Sequence, residues 1–139
     1  MTDATGVGGH RVDLPGLSHY ATTKRAGPFL YVAGVSGRRA DGKIPGYVET
    51  ATGTQNDIVQ QADGAFENLR GALRSAGFDM PSLIDVTCYL VDVNDYPALV
   101  ESWNRHFPSD PPARTTLVVR QLPDPNLRLE LKAIAYRAE

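Results

Sequence analysis

The sequence has one cysteine, three histidines and one tryptophan among 139 residues. A single cysteine forms no internal disulfide. Cys88 lies in the apolar run Val86-Thr87-Cys88-Tyr89-Leu90 and reads as a small buried strand residue. His10, His19 and His106 are far apart and make no HxH or HxxxH pattern, so no metal site is expected. No stretch approaches the ~20 apolar residues of a membrane helix. Residues 1–9 lack the charged start and apolar core of a signal peptide, and a cytoplasmic location is expected. Neither sign of charge dominates: 14 Lys and Arg face 16 Asp and Glu, with no basic stripe or run. Neither nucleic acid nor membrane is an expected partner. Walker, nucleophile-elbow, HExxH and dinucleotide-binding motifs are all missing, which removes support for a nucleophilic serine or cysteine.

The length suits one domain spanning residues 1–139, with a loose, Gly-rich lead over residues 1–12. Tyr20 to Lys24 and Phe29 to Gly34 read as strands around an Ala26-Gly27-Pro28 turn. The second is a continuous apolar run, which suggests a strand buried on both faces. Residues 35–53 are rich in Gly, Pro and charge and read as a long surface loop. From Asn56 to Ala76, Ile58, Ala62, Ala65, Phe66, Leu69, Leu73 and Ala76 form one helical stripe. Thr54 followed by Asp57 resembles an N-terminal cap, and Gly77 a C-terminal one.

Leu83 to Val91 reads as a strand. A second helix follows, capped by Asn94 or Asp95, with Pro97 in its first turn and Leu99, Val100, Trp103 and Phe107 inward. The strands Ala113 to Gln121 and Leu127 to Tyr136 end the chain, forming a C-terminal pair joined by a turn at residues 122–126. The order β-β-α-β-α-β-β predicts an α/β domain, one sheet with two helices on one face. The last strand alternates, with Leu127, Leu129, Leu131, Ala133 and Ala135 on one side and Arg128, Glu130, Lys132, Ile134 and Tyr136 on the other. That second face is expected to meet another subunit, since Tyr31, Val118 and Ile134 need cover.

Several strand and loop residues can carry chemistry. Arg114 opens a strand, where a guanidinium fork suits capture of a carboxylate; it equally suits pairing with a neighbouring acid. Glu130 can act as general acid or base or hold a water. Its pattern alone favours a cross-strand salt bridge. Tyr20 can close a pocket or simply pack. Ser36 with Arg38 and Arg39 forms a polar knot that can receive an anion or stay solvated.

Taken in order, these segments resemble the RidA (YjgF/YER057c) family from about Tyr20 to Tyr136. The carriers are residues 29–34, Glu67-Asn68-Leu69 with Ala76-Gly77, residues 85–96, Phe107-Pro108, Pro111-Pro112-Ala113-Arg114-Thr115-Thr116, Leu122-Pro123 and residues 129–135. The resemblance implies a chorismate-mutase-like α/β domain in homotrimers, or dimers of trimers, with sites between subunits. It implies hydrolysis of enamines and imines without a metal or organic cofactor. Arg114 is the implied carboxylate binder, and Glu130 is implied in water activation and proton transfer. Tyr20 lines the pocket and Gly34 offers a backbone N–H, with Asn94 and Thr116 counted among the substrate-binding residues. Two positions depart from the family pattern: Ala33 stands where serine is common, and Thr116 where cysteine is.

Residues 36–42, 57–62 and 121–126 further look like 2-aminomuconate deaminases. The expected substrate is then an enamine dicarboxylate from bacterial aromatic catabolism, giving 4-oxalocrotonate and ammonia. Arg114 would take one carboxylate, and Arg38 or Arg39 the other. Ser36 is the candidate to replace the hydroxyl absent at Ala33. A general 2-iminoacid deaminase and a non-catalytic ligand-binding trimer remain as alternatives.

Overall fold

The computed structural model of the protein describes residues 7–11 and 19–138. Along the described chain run β1 (Val7–Arg11), β2 (Ala21–Ala26), β3 (Phe29–Val35), β4 (Tyr47–Thr50), β5 (Gly53–Asn56), α1 (Ile58–Ser75), β6 (Leu83–Leu90), α2 (Tyr96–His106), β7 (Ala113–Val118) and β8 (Leu129–Tyr136). Short 3₁₀ turns at Met80–Ser82 and Val93–Asp95 precede β6 and α2.

The stripe of α1 does what its spacing demands: Ala62, Ala65, Phe66, Leu69 and Leu73 are completely buried. Asp57, not Thr54, caps the helix, accepting from the Gln60 N–H at 3.1 Å. Thr54 belongs to β5. The helix ends in paired reverse bonds, Phe78 N–H to Leu73 O and Gly77 N–H to Arg74 O. This close needs a left-handed residue, supplied by Gly77 at φ +82°. Asp92, rather than Asn94, caps the turn before α2; Asp95 precedes that helix without a side-chain cap bond. On α2, Leu99, Trp103 and the adjoining Phe107 are buried, while Val100 is only half-buried.

Six strands make one sheet in the order β1-β2-β3-β8-β6-β7. Every pairing is antiparallel except β6 with β7. The parallel pair follows from α2, which carries the chain back across the sheet. The C-terminal strands do not pair with each other, since β6 lies between them. The turn expected at 122–126 belongs to a longer crossing from Val118 to Leu129, anchored by a small apolar cluster of Ile44, Leu122 and Leu127. The lead is a strand over Val7–Arg11, paired with β2; its other residues lie outside the described ones. The 35–53 loop contains β4, which forms a two-stranded hairpin with β5.

Both helices cover one sheet face, where Leu30, Val32, Val86, Cys88, Leu90, Leu129 and Leu131 pack beneath them. Phe66 centres an aromatic cluster, 6.0 Å from Trp103, 5.8 Å from Phe107 and stacked on His106 at 4.8 Å. The other face is open in the single chain. Hence β3 is not buried on both sides: its residues alternate, with Phe29 and Tyr31 exposed. Tyr136 is exposed beside Phe29, their rings 5.3 Å apart, and Ile134 is half-buried. Val118 is also exposed, but its register with buried Leu90 puts it on the helix-bearing side at the sheet's end. Among the described residues no helix is long and apolar enough to cross a membrane.

Candidate active site

Arg114 sits on β7 in register with Val86, which is fully buried under the helices. Its side chain therefore turns toward α2. There it lies 4.8 Å from the Trp103 ring centre and 5.6 Å from that of Tyr96, and it donates to the Tyr96 hydroxyl at 2.7 Å. Stacking on two rings fixes the guanidinium plane. Among the described residues no carboxylate pairs with it, leaving hydrogen-bond capacity for an anion. Thr116, two residues along, has a buried hydroxyl with no hydrogen-bond partner among the described residues. Asn94 is exposed on the turn that leads into α2.

Glu130 occupies the opposite face of the sheet. It is in register with Tyr89 and lies between Leu129 and Leu131, both fully buried on the helix side. Gly34 is what makes room for it: a Cβ there would come within 2.9 Å of the Glu130 carboxyl. Burial holds this carboxyl above the ordinary glutamate range. No ion pair or hydrogen bond engages it among the described residues. Arg128, expected on the same face, instead turns to Asp95 and Asp92 at 2.9 and 3.3 Å. The cross-strand salt bridge favoured by pattern is therefore not formed.

Glu130 opens into a cleft of about 550 Å³, which Tyr20, Gly34, Ser36, Arg38 and Arg39 also line. Tyr20 is half exposed at the rim. The Ser36 hydroxyl accepts from the Arg38 N–H at 3.3 Å. The Arg38 guanidinium is bound to the Asp124 carboxylate across the cleft. Arg39 is exposed, and among the described residues its side chain has no partner. The segment 36–39 is pinned from behind by Asn68 of α1, whose amide donates to Ser36 O and Arg38 O, each at 2.8 Å.

The chain thus divides the expected residues into two groups. Tyr20, Gly34, Ser36, Arg38, Arg39 and Glu130 share one cleft; Arg114, Thr116 and Asn94 lie toward α2 and the β7 edge. Cys88 is no nucleophile, since burial pushes its thiol up to about 12 against the pull of Arg114. Among the described residues no three His, Cys, Asp or Glu side chains converge as metal ligands.

Sequence reading missed Tyr96, Trp103, Asn68 and Asp124 as site residues. Tyr96 and Trp103 stand seven apart, two turns along one face of α2, which is a visible signal. The bond between Arg38 and Asp124 joins residues 86 positions apart and leaves no local trace.

The sequence profile described as Endoribonuclease L-PSP matches residues 12–137. A RutC family protein of Pyrococcus horikoshii is 34% identical over 121 residues, 87% of this chain and 89% of that one. The 2-iminobutanoate/2-iminopropanoate deaminase of Dermatophagoides farinae is 30% identical over 118 residues, 85% of each chain. In fold, RidA from an Antarctic Psychrobacter matches with a TM-score of 0.75 at 21% identity, over 88% of this chain and 91% of its own. The chain belongs to the Endoribonuclease L-PSP family, the family of the RidA and YjgF proteins.

Proposed function

We propose that this protein is a hydrolytic deaminase of carboxylate-bearing enamines and imines, and that its substrate is 2-aminomuconate. The observation that carries the reading is Glu130, a carboxyl without a partner among the described residues, lifted by burial and aimed into a cleft. A carboxyl facing a cleft, with its hold on a proton strengthened by burial, is suited to take and return a proton, which is what imine hydrolysis requires. The deaminase name of the Dermatophagoides relative supports the reaction class. The narrower substrate is supported by the two loops that resemble 2-aminomuconate deaminases, 36–42 and 121–126, which meet through Arg38 and Asp124.

One chain holds Arg114 and Glu130 on opposite faces of its sheet, so a small substrate cannot touch both. A complete site then takes Arg114 from one copy and Glu130 from another. The open face, with Phe29, Tyr31, Ile134 and Tyr136, offers the apolar surface for such an assembly. A homotrimer with a site at each subunit boundary is the arrangement proposed, in the cytoplasm.

The chemistry follows from these groups. Arg114 grips the carboxylate next to the amine with its guanidinium fork. The enamine takes a proton from solvent on carbon and becomes an iminium ion, whose carbon is electrophilic. Water attacks it as the Glu130 carboxylate removes a proton, giving a carbinolamine. Glu130 returns that proton to nitrogen, the C–N bond breaks, and ammonia leaves as the carbonyl forms and its hydroxyl proton passes to solvent. For 2-aminomuconate the sum is one water consumed, with 4-oxalocrotonate and ammonia released.

The names of the relatives also favour a second reading, a general 2-iminoacid deaminase. Ammonia release should be measured from 2-aminomuconate beside imines generated from amino acids by an amino-acid oxidase. A kcat/KM higher for 2-aminomuconate by about tenfold or more supports the narrower reading; the reverse order supports the general one. No release from any of them refutes both.

A further inference from the structure

We infer that Arg39 is the specificity-determining residue of the Glu130 cleft, selecting substrates that carry a second anionic group, while Arg38 only holds the loop in place. The inference rests on the deaminase reading above and deepens it. Two adjacent arginines line the cleft, and the sequence does not distinguish them. Their surroundings do. The Arg38 guanidinium is neutralised by Asp124, whose other oxygen is occupied by the Asn126 N–H at 2.9 Å. A substrate carboxylate at Arg38 would have to displace Asp124 and leave a part-buried acid unpaired.

Arg39 faces no such competition, since its guanidinium has no partner among the described residues. Yet its backbone is held firmly. Its N–H donates to Lys43 O at 2.8 Å, and its carbonyl accepts from the Gly42 N–H at 2.9 Å. The preceding residues are tied by Asn68 to α1. A charge on a prepared loop loses less freedom on binding than one on a floppy loop.

Arg39 also borders a second cleft of about 430 Å³, beside Lys43, Tyr47 and Asn126. It therefore stands where a substrate reaching outward from Glu130 would place its far end. With Arg38 and Asp124 cancelling, Arg39 is the uncompensated cation of the Glu130 cleft among the described residues. Arg114 lies on the other face and serves a different carboxylate. Two separate cations, one at each end of the path, match a dianion rather than a simple monocarboxylic imine.

The test compares two imines generated in place by an amino-acid oxidase. One comes from glutamate. The other comes from norvaline, which has the same chain length without the distal carboxylate. Wild type should prefer the glutamate imine in kcat/KM, and Arg39→Gln should reduce that preference by about tenfold or more. Arg39→Lys should restore part of it, because the charge survives without the fork. Arg38→Gln should lower both rates together and lower the melting temperature, as expected of a positioning residue. The inference is overturned if Arg39→Gln leaves the preference intact, if Arg38→Gln is the change that abolishes it, or if wild type favours the norvaline imine. In each of those cases ammonia release persists and the deaminase reading stands. Absence of release from either imine and from 2-aminomuconate would remove both.

Discussion

Replacing Glu130 with glutamine should separate activity from stability. The side chain is half-buried over Gly34, and burial raises its pKa. Its ionised form is therefore less favourable in the folded protein than in the unfolded chain. The sign follows directly. Below the unfolded pKa, ~4.3 for a glutamate, both states are protonated and the penalty vanishes. It grows as pH rises through the interval up to the raised folded pKa and is full above it. Glutamine keeps the shape and carries no charge. At neutral pH, Glu130→Gln should melt no lower than wild type, and any advantage should fade on acidification. Activity should move the other way. A positioned general base contributes about 10²–10⁴-fold, or roughly 3–5 kcal/mol of the barrier. Ammonia release should fall by that factor, and the acid limb of the wild-type rate profile should disappear. Thermal melts across pH, with kcat from the same preparations, provide both readings. A variant within about threefold of wild-type kcat would refute the role given to Glu130. A clear drop in melting temperature at neutral pH would refute the burial argument.

Arg114→Lys keeps the charge but loses the fork and the stacking on Trp103. It should cost about 10–100-fold in kcat/KM, mostly through KM, checked by steady-state kinetics. Gln61 is completely buried, and its Oε1 accepts from the Arg128 and Leu129 N–H groups at 2.6 and 3.3 Å, just ahead of Glu130. Gln61→Leu strands both donors and should destabilise the fold by about 2–5 kcal/mol, seen as a lower denaturant midpoint at unchanged slope.

The parts legible in the sequence were those with a strong local period. Helix α1 shows itself through Ala62, Phe66, Leu69 and Leu73, and the end of the chain through the alternation from Leu129 to Tyr136. The hairpin β4–β5 was hidden because Tyr47-Val48-Glu49-Thr50 buries little, so no hydrophobic alternation marks it. The run from Phe29 to Gly34 suggested two buried faces because its outward residues, Phe29 and Tyr31, are as apolar as its inward ones. Periodicity identifies a strand without naming its neighbour, so β7 and β8 passed for a pair although β6 separates them. The same gap affected the site. Arg114 and Glu130 were recognisable as residue types in a family pattern, but their placement on opposite faces depends on register. The difference between Arg38 and Arg39 depends on Asp124, which only the folded chain brings near.

The central claim is that a working site is shared between copies, with Arg114 from one and Glu130 from the next. Mixing Arg114→Ala and Glu130→Gln subunits by co-expression tests it most directly. Each variant alone should be nearly inactive. In a three-fold ring every mixed trimer contains one boundary with both residues intact, so random equal mixing should restore about one quarter of wild-type activity. Mixed trimers that form, verified by native mass spectrometry with distinguishable tags, and yet show no recovery would contradict the account.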